Sequence, residues 1–182
     1  MNTDLSKFDN SWYKPGGKFK IMLWYFFNAL YLQNKYNPFS GLKKIVLRLF
    51  GAKIGTGVVL KPSISVKYPW KLTIGNNVWV GENVWIDNLD EVVIGNNVCL
   101  SQGSMLLCGN HDYKKSTFDL MTGQITLQDG VWIGAKSIVT QSVTCYTHSV
   151  LAVQSVASSD LEAYSIYKGN PAVKIRDRKI EE

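Results

Sequence analysis

Aliphatic residues recur about every six positions through the middle of the chain, most clearly at Ile74, Val80 and Ile86. A period of six matches neither an α-helix, which repeats every ~3.6 residues, nor a flat strand, which repeats every ~2. It matches a prism with three short parallel strands per turn, in which each strand turns one aliphatic side chain inward. The pattern therefore predicts a parallel β-helix. Further runs continue it at Ile94, Leu100 and Leu106, and then at Leu127, Ile133, Val139, Cys145 and Leu151.

Glycine and asparagine dominate the positions between these aliphatic residues. The dipeptide Ile-Gly stands at Ile54, Ile74 and Ile94, twenty residues apart, and the last two pairs are each followed by Asn-Asn-Val. Both residue types adopt positive φ at small cost, which suits the corners between strands. Three units of six account for about eighteen residues. A spacing of twenty then implies two additional residues per coil, which we place near Thr73 and Val93.

Two apolar stretches precede the repeat. Residues 21–32 are the most hydrophobic of the chain but too short to span a membrane, which takes about 20 apolar residues. We interpret them as a helix that packs on the solenoid or on a neighbouring subunit, or as one that lies on a membrane surface. Residues 41–50 predict an amphipathic helix that ends at Gly51 and caps the open end of the β-helix. Its predicted inner face consists of Leu42, Ile45, Val46 and Leu49.

The repeat divides the chain into three parts. Residues 1–51 form an N-terminal arm and helical cap, residues 52–161 the β-helix, and residues 162–182 a basic closing segment. The six-residue pattern stops at about residues 112–124, where we predict a loop excursion. The expected fold class is an all-β solenoid with helical segments at its N-terminus.

Composition indicates a soluble globular chain and narrows its partners. Hydrophobic residues make up 46%, and the net charge of +6 favours anionic partners such as phosphorylated cofactors or an acidic membrane surface. The basic residues are scattered, which argues against nucleic acid. No apolar leader opens the chain, so we expect a cytoplasmic protein with reduced thiols. Cys99 and Cys145 are then expected as small buried residues of the repeat.

Two histidines are present, His111 and His148. His111 stands where the regular coil gives way to the excursion, and such a junction is well placed to line a cleft. Histidine titrates near neutral pH, which suits general-base chemistry, and the neighbouring Asn110 is a candidate substrate contact. His148 lies in the least regular repeat and is expected at a surface corner. A γ-class carbonic anhydrase would need three histidines on zinc, so two argue against that interpretation, and no metal is predicted.

Beyond the repeats, the sequence carries His111 at the start of its loop and the closing motif Tyr-Lys-Gly-Asn-Pro-Ala at residues 167–172. With these features the chain resembles the hexapeptide-repeat O-acetyltransferases, and in particular the branch assigned to colanic-acid biosynthesis. The resemblance covers nearly the whole chain. Further matching segments are 12–14, 38–42, 49–55, 67–70, 85–89 and 101–103.

The resemblance implies a left-handed β-helix that assembles as a homotrimer with active sites between subunits. Acetyl-CoA would be the donor and a sugar hydroxyl the acceptor, with no metal required. On the family's pattern His111 is the general base, which takes the hydroxyl proton and returns it to the leaving thiolate. A backbone N–H of a neighbouring coil would stabilise the oxyanion.

The resemblance also implies binding roles. Asp87, with Asn88 beside it, corresponds to a position that orients the acceptor. Two departures from the family pattern fall near the donor, since Gln154 replaces a glycine beside the channel and Ser159 replaces a lysine near the phosphates. The positions that correspond to donor-binding residues are Trp132, Ala135, Val153, Ser158, Ser159, Lys174 and Arg176.

Together these features predict an O-acetyltransferase of exopolysaccharide or capsule biosynthesis that acts on a lipid-linked or nucleotide-linked sugar. We expect it in the cytoplasm, with a peripheral contact at the inner membrane face through residues 21–32. Two alternatives stay open. The first is a non-catalytic trimeric scaffold in which Gln154 fills the donor channel. The second is an N-acetyltransferase for an amino sugar, because an amine and a hydroxyl need similar base chemistry.

Overall fold

The computed structural model describes residues 2–181, most of which wind into a three-sided prism. Met1 and Glu182, the outer ends of the predicted N-terminal and closing segments, lie outside the described residues. Successive strands occupy successive faces, and each pairs in parallel with the strands of the same face in the neighbouring coils. The parallel β-helix predicted from the six-residue period is confirmed.

Three sheets form the faces, which we number in the order in which the chain visits them. Face 1 contains Lys53–Ile54, Leu72–Ile74, Val92–Ile94, Ile125–Leu127 and Thr144–Cys145. Face 2 contains Val59–Leu60, Trp79–Val80, Cys99–Leu100, Trp132–Ile133, Val150–Leu151, Ser165–Gly169 and Ala172–Asp177. Face 3 contains Ser65–Val66, Trp85–Asp87, Met105–Leu107, Ile138–Thr140 and Val156–Ala157. We call the corner between faces 2 and 3 edge 2/3, and the corner between faces 3 and 1 edge 3/1.

Each strand contributes an inward aliphatic side chain to a continuous core. On face 1, Ile74 lies in register between Ile54 and Ile94. Val80 on face 2 and Ile86 on face 3 are likewise the inward residues of their strands, and neither is more than 2% exposed. Because coils stack in register, a period in the sequence becomes a column of buried side chains along each face.

Of the two cysteines in the repeat, one side chain points into the core and the other points outward. Cys145 is fully buried in the core, as predicted. The expectation for Cys99 was wrong, because Leu100 takes the inward position of that strand. Cys99 points outward and is half-buried between Trp79 and Trp132 of the neighbouring coils. A displacement of one residue along a strand moves a side chain to the opposite face.

The additional residues of the early coils lie on edge 3/1, shortly before Thr73 and Val93. In one coil they form a turn of 3-10 helix, Pro69–Lys71. In the next coil Asn88 is completely buried. Its side-chain oxygen accepts from the N–H of Tyr68 at 2.9 Å, and its side-chain amide donates to the carbonyl of Tyr68 at 2.6 Å. Asn88 therefore braces two neighbouring coils.

Helices precede the prism and pack on its first coils. Trp24 is completely buried, and its indole N–H donates to the carbonyl of Val66 at 2.9 Å, which ties the first α-helix to face 3. Within residues 2–181 no helix combines the length and the hydropathy needed to cross a membrane. The helical elements are the 3-10 turn Leu5–Lys7, α1 (Lys18–Phe27), the π-helical turn Asn28–Leu32 and α2 (Ser40–Leu49).

Helix α2 packs on the first coil, but not with the predicted face. Its buried side chains are Lys43, Val46 and Leu47. Ile45 and Leu49, which the amphipathic pattern assigned to the inner face, are more than half exposed. That part of the prediction was wrong.

The first coil explains this rotation of α2. Its strands have no preceding coil, so the ladder leaves their backbone carbonyls without partners. Basic side chains supply the missing donors: Lys43 Nζ lies 2.9 Å from the carbonyl of Lys61, and Lys44 Nζ lies 2.9 Å from that of Val58. Arg48 donates to two further carbonyls of this coil. Burial of polar backbone thus decides which side of the helix faces inward.

The predicted excursion is a β-hairpin rather than an irregular loop. Gly109–His111 and Leu120–Thr122 pair in antiparallel fashion and project from edge 3/1, so the departure begins before residue 112. The closing segment is also regular. Ser165–Gly169 continues face 2 in parallel, and Ala172–Asp177 turns back against it.

Candidate active site

The side chain of His111 is held at the base of this hairpin by Phe118. Its ring atom Nδ1 lies 3.0 Å from the backbone carbonyl oxygen of Phe118. Since a carbonyl can only accept, Nδ1 carries the hydrogen, and in the neutral ring the lone pair is left on Nε2. The ring also stacks on that of Phe118, with centroids 4.4 Å apart, and Phe8 packs at 5.6 Å. His111 thus presents a basic nitrogen in one orientation.

The backbone of Phe118 is strained where it makes this contact. Its φ is +52°, a left-handed conformation that bulky residues rarely adopt. Such strain costs roughly 1–3 kcal/mol and persists only where the surroundings impose it, often at functional sites. Here the hairpin imposes it, with Asp112 N–H donating to the carbonyl of Asp119 at 2.8 Å.

A cavity of about 470 Å³ lies beside His111. The N-terminal arm forms its outer wall: the hydroxyl of Tyr13 donates to the carbonyl of Leu89 at 2.5 Å, and the N–H of Asp4 donates to the carbonyl of Ser116 at 2.8 Å. Burial raises the pKa of Tyr13, which keeps its hydroxyl protonated as a donor. Sequence analysis missed this role of the arm, and the match at residues 12–14 was its only signal. The lining residues are Phe8, Asn10, Tyr13, Pro15, Lys67, Tyr68, Leu89, His111 and Leu120.

The predicted acceptor residues occupy different positions around this cavity. Asp87 lines an adjoining cavity of about 290 Å³, and its Oδ1 lies 3.0 Å from Nζ of Lys67, an ion pair without the alignment of a hydrogen bond. Lys67 lines both cavities. Asn110 is exposed, and its side-chain oxygen accepts from the N–H of His111 at 2.8 Å. Asn88 lines neither cavity, since it is buried with both polar atoms paired, so we leave it out of the acceptor site.

A second region brings together four of the predicted donor-binding residues. Trp132, Ala135, Val153 and Arg176 line a cavity of about 450 Å³ on edge 2/3. The indole N–H of Trp132 donates to Oγ of Ser101 at 2.9 Å, which fixes the ring as one wall. The walls are mostly apolar, and Arg176 adds one charge. A slender arm with a phosphate at one end fits such a groove.

The backbone along this groove offers free donors. The N–H groups of Ala135 and Val153 make no hydrogen bond within the described part of the chain. The carbonyl of Ala135 accepts from the N–H of Gln154 at 3.0 Å, whereas the Gln154 side chain is exposed and does not line the cavity. The alternative in which Gln154 fills the channel therefore has no support from its position.

The other predicted donor-binding residues lie outside this groove. Ser158 and Ser159 are exposed on edge 3/1, the edge from which the hairpin projects. Lys174 forms ion pairs with Asp177 at 2.9 Å and with Glu162 at 3.0 Å, and these two carboxylates raise its pKa. Its charge is already partnered within the closing segment.

His111 and the groove lie on different edges of the prism. His111 projects from edge 3/1, whereas Trp132 and Ala135 belong to edge 2/3. Face 3 lies between these two edges. Its width is that of a short extended segment, roughly 15–20 Å at ~3.3 Å per residue. Reacting atoms must approach to about 3–3.5 Å. The base and the groove of one chain therefore do not surround a common reacting centre.

The chain matches no family model. Among solved structures, a hexapeptide-repeat acetyltransferase from Vibrio cholerae aligns with a TM-score of 0.74 and 22% identity over 80% of this chain and 85% of its own. The same protein has been solved in complex with acetyl coenzyme A. A galactoside acetyltransferase in complex with coenzyme A aligns with a TM-score of 0.74 and 21% identity over 88% of this chain and 80% of its own. The fold is the left-handed β-helix of hexapeptide-repeat acetyltransferases, as predicted.

Sequence similarity identifies the family within this fold. The colanic acid biosynthesis acetyltransferase WcaF of Escherichia coli (strain K12) is 35% identical over 166 residues, which cover 91% of each chain. The galactoside O-acetyltransferase of the same strain is 25% identical over 129 residues, 69% of this chain and 64% of its own. The chain belongs to the WcaF family of acetyltransferases. The prediction that it is an acyltransferase enzyme is confirmed.

Proposed function

We propose that the chain is an O-acetyltransferase that moves an acetyl group from acetyl-CoA to a sugar hydroxyl in exopolysaccharide or capsule biosynthesis. One observation carries the proposal: the Phe118 carbonyl holds the hydrogen on Nδ1 of His111 and leaves the Nε2 lone pair available beside a cavity. The names of two relatives support the acceptor class, since one is named a colanic acid biosynthesis acetyltransferase and the other a galactoside O-acetyltransferase.

In this mechanism His111 is the general base. Its Nε2 takes the proton of the acceptor hydroxyl while the hydroxyl oxygen bonds to the acetyl carbon and the carbon–sulfur bond breaks. His111 then returns the proton to the sulfur, so that an ester and a free thiol leave the site. The Phe118 carbonyl stabilises the imidazolium formed between these transfers. A base of this kind contributes a factor of roughly 10²–10⁴ in rate.

The groove on edge 2/3 holds the donor in this proposal. When bound, acetyl-CoA supplies an activated acetyl thioester. Trp132 flanks the pantetheine arm, the free N–H groups of Ala135 and Val153 donate to its amide carbonyls, and Arg176 contacts a phosphate. The apolar walls exclude water from the thioester.

A homotrimer with active sites between subunits brings the two edges together. The groove of one subunit would face edge 3/1 of the next, which supplies His111, Ser158 and Ser159. The outer surfaces of the prism support this arrangement. Faces 2 and 3 present apolar side chains outward, with Trp79 62% exposed on face 2 and Met105 and Ile138 partly exposed on face 3. Face 1 presents mainly threonines, at Thr73, Thr126 and Thr144.

A peripheral membrane contact is part of the proposal because the acceptor is expected to be lipid-linked. Phe19, Met22 and Phe26 of α1 are all more than 60% exposed, and Lys18 and Lys20 stand beside them. Such a helix suits an anionic bilayer surface. Co-sedimentation with anionic vesicles should fall in a variant that combines Phe19→Ser with Phe26→Ser. Equal co-sedimentation of wild type and variant would remove the membrane contact.

The test of the enzymatic proposal is thiol release from acetyl-CoA in the presence of sugar acceptors, including undecaprenyl-linked saccharides. His111→Ala should lower acceptor-dependent release by two or more decades, as loss of a general base does. The matched control is His148→Asn, the second histidine of the chain, which sits at a corner with φ of +59° that asparagine tolerates. It should retain activity. Equal activity of wild type and His111→Ala would overturn the role of His111.

A further inference from the structure

We infer that the cavity between the π-helical turn and the coil binds a second sugar residue of the acceptor, next to the residue acetylated beside His111. This inference rests on the proposed function and specifies its substrate class. The preferred acceptor is an oligosaccharide or a growing glycan rather than a free monosaccharide.

The chemistry of the cavity suits a neutral sugar ring. A pyranose has two weakly apolar faces and a rim of hydroxyl groups. Aromatic rings with exposed faces pack on the apolar faces of the sugar, and amides and carboxylates form hydrogen bonds with its hydroxyl groups. Tyr25 and Trp85 are 55% and 42% exposed at this cavity, which has a volume of about 290 Å³. Its lining consists of Tyr25, Asn28, Gln33, Ser65, Lys67, Trp85 and Asp87.

Asn28 is a buried polar side chain with an unused acceptor at this cavity. It is only 4% exposed, and its Oδ1 has no hydrogen-bond partner among residues 2–181. Buried polar atoms are nearly always paired, because an unpaired one forfeits the hydrogen bonds that water would give it. Rotation of the amide about its terminal torsion would turn Oδ1 from its enclosed position toward the cavity, where a hydroxyl of a bound sugar would supply the missing donor.

The helix geometry points to the same place. Asn28 is the first residue of the π-helical turn, which Gln33 closes by donating its N–H to the Asn28 carbonyl at 2.9 Å. The Gln33 side chain donates to Oγ of Ser65 at 3.0 Å. Turns of this type are rare and recur at functional sites. The wider turn places Asn28 and Gln33 together on the cavity wall.

The cavity adjoins the proposed catalytic cavity through Lys67, which lines both. A saccharide with its reactive hydroxyl at His111 would therefore place the neighbouring ring across Lys67. The ion pair between Lys67 and Asp87 leaves this passage with little net charge. That favours a neutral sugar over the phosphate of a nucleotide.

The test compares disaccharide with monosaccharide acceptors by thiol release from acetyl-CoA. The probes are methyl β-galactoside and methyl β-glucoside, with lactose and cellobiose as their disaccharide counterparts. Wild type should show a kcat/KM at least ~10-fold higher for a disaccharide, since about tenfold is the gain that one additional hydrogen bond supplies. Asn28→Leu should abolish that preference and leave the monosaccharide value unchanged. Its thermal stability should not fall, since the lost Oδ1 has no partner in the protein.

Asn37→Leu is the matched control. Asn37 is also buried in the helical region, but its amide donates to the Tyr31 carbonyl at 2.9 Å and its oxygen accepts from the N–H of Phe39 at 3.1 Å. This variant should lose stability and keep the disaccharide preference. An unchanged preference in Asn28→Leu, or a loss of stability as large as that of Asn37→Leu, would overturn the subsite. Absence of acceptor-dependent release with every sugar would instead overturn the proposed function, and the subsite with it.

Discussion

Nδ1 of His111 lies 3.0 Å from the carbonyl oxygen of Phe118, a residue with φ of +52°. The second histidine repeats only half of this arrangement. His148 stacks on Tyr164, whose φ is also +52°, with centroids 4.9 Å apart. Its Nδ1 has no hydrogen-bond partner in the described part of the chain. Both histidines thus stack on an aromatic residue with a strained backbone. At His111 a backbone carbonyl also holds the ring hydrogen on Nδ1, whereas Nδ1 of His148 has no such partner in the described part of the chain.

Phe118→Gly tests whether the stacked ring orients the base, since the variant keeps the backbone carbonyl that bonds Nδ1 of His111. Glycine adopts the same φ without strain but removes the ring on which His111 stacks. We expect kcat to fall about tenfold, because the imidazole loses its orientation, with little change in the KM for acetyl-CoA or in Tm. Steady-state kinetics of thiol release measure the effect. Tyr164→Gly makes the same change beside His148 and should leave kcat unchanged; a similar loss in both variants would contradict a specific role for Phe118.

Ala135→Trp tests the donor groove. A large side chain at this corner would occupy the groove beside Trp132. The affinity for CoA should therefore fall at least ~10-fold, because the loss of about 1.4 kcal/mol of binding free energy lowers affinity tenfold. The corner is partly exposed, so the free energy of unfolding should change by less than ~0.5 kcal/mol. Isothermal titration with CoA measures the affinity. Glu82→Trp, an exposed corner of the same edge outside the groove, is the control, and unchanged CoA affinity in Ala135→Trp would exclude this groove as the donor site.

Lys43→Met tests the cap on the first coil. The Lys43 ammonium is fully buried and donates to the carbonyls of Leu60 and Lys61, at 3.4 and 2.9 Å. Methionine keeps the shape but leaves these carbonyls unpaired, so the free energy of unfolding should fall by roughly 1–3 kcal/mol. Urea denaturation measures it. The exposed Lys53→Met should change stability by less than ~0.5 kcal/mol. If Lys43→Met proves more stable than wild type, desolvation of the ammonium outweighs its hydrogen bonds.

Asp129→Asn should reveal a pH-dependent contribution to stability. The N–H of Asn96 donates to Oδ1 of Asp129 at 2.7 Å, and this bond, together with the Asn96 side chain, lowers the pKa of the Asp129 carboxyl. A carboxyl whose pKa is lowered on folding stabilises the folded state at pH values above its unfolded-state pKa of about 3.9. This stabilisation is lost as the pH falls through the pKa of the folded state. The free energy of unfolding of wild type should therefore exceed that of the variant by less than ~1 kcal/mol at pH 7. Urea titrations should show the difference closing below about pH 4; a constant difference down to pH 2 would contradict the carboxylate's role.

Local features of the sequence were sufficient to predict the prism. The inward position of each strand, such as Val80 or Ile86, depends on burial that repeats with every coil, and the corners depend on residues that tolerate positive φ. Both are short-range requirements, so they leave a period in the sequence. The side that a helix buries is not local: α2 turns Lys43 inward because of carbonyls that belong to the first coil.

The sequence by itself determined the β-helix, the family resemblance and His111 as the candidate base. Only the tertiary structure decided that the N-terminal arm walls the cavity at His111, that Asn88 is a brace between coils, and that Ser158 stands on a different edge from Trp132. These relationships join residues far apart in the chain, and they arise when coils stack and backbone groups find partners across them. A pattern of residue types records which side chains are buried, but it does not record which distant backbone each of them meets.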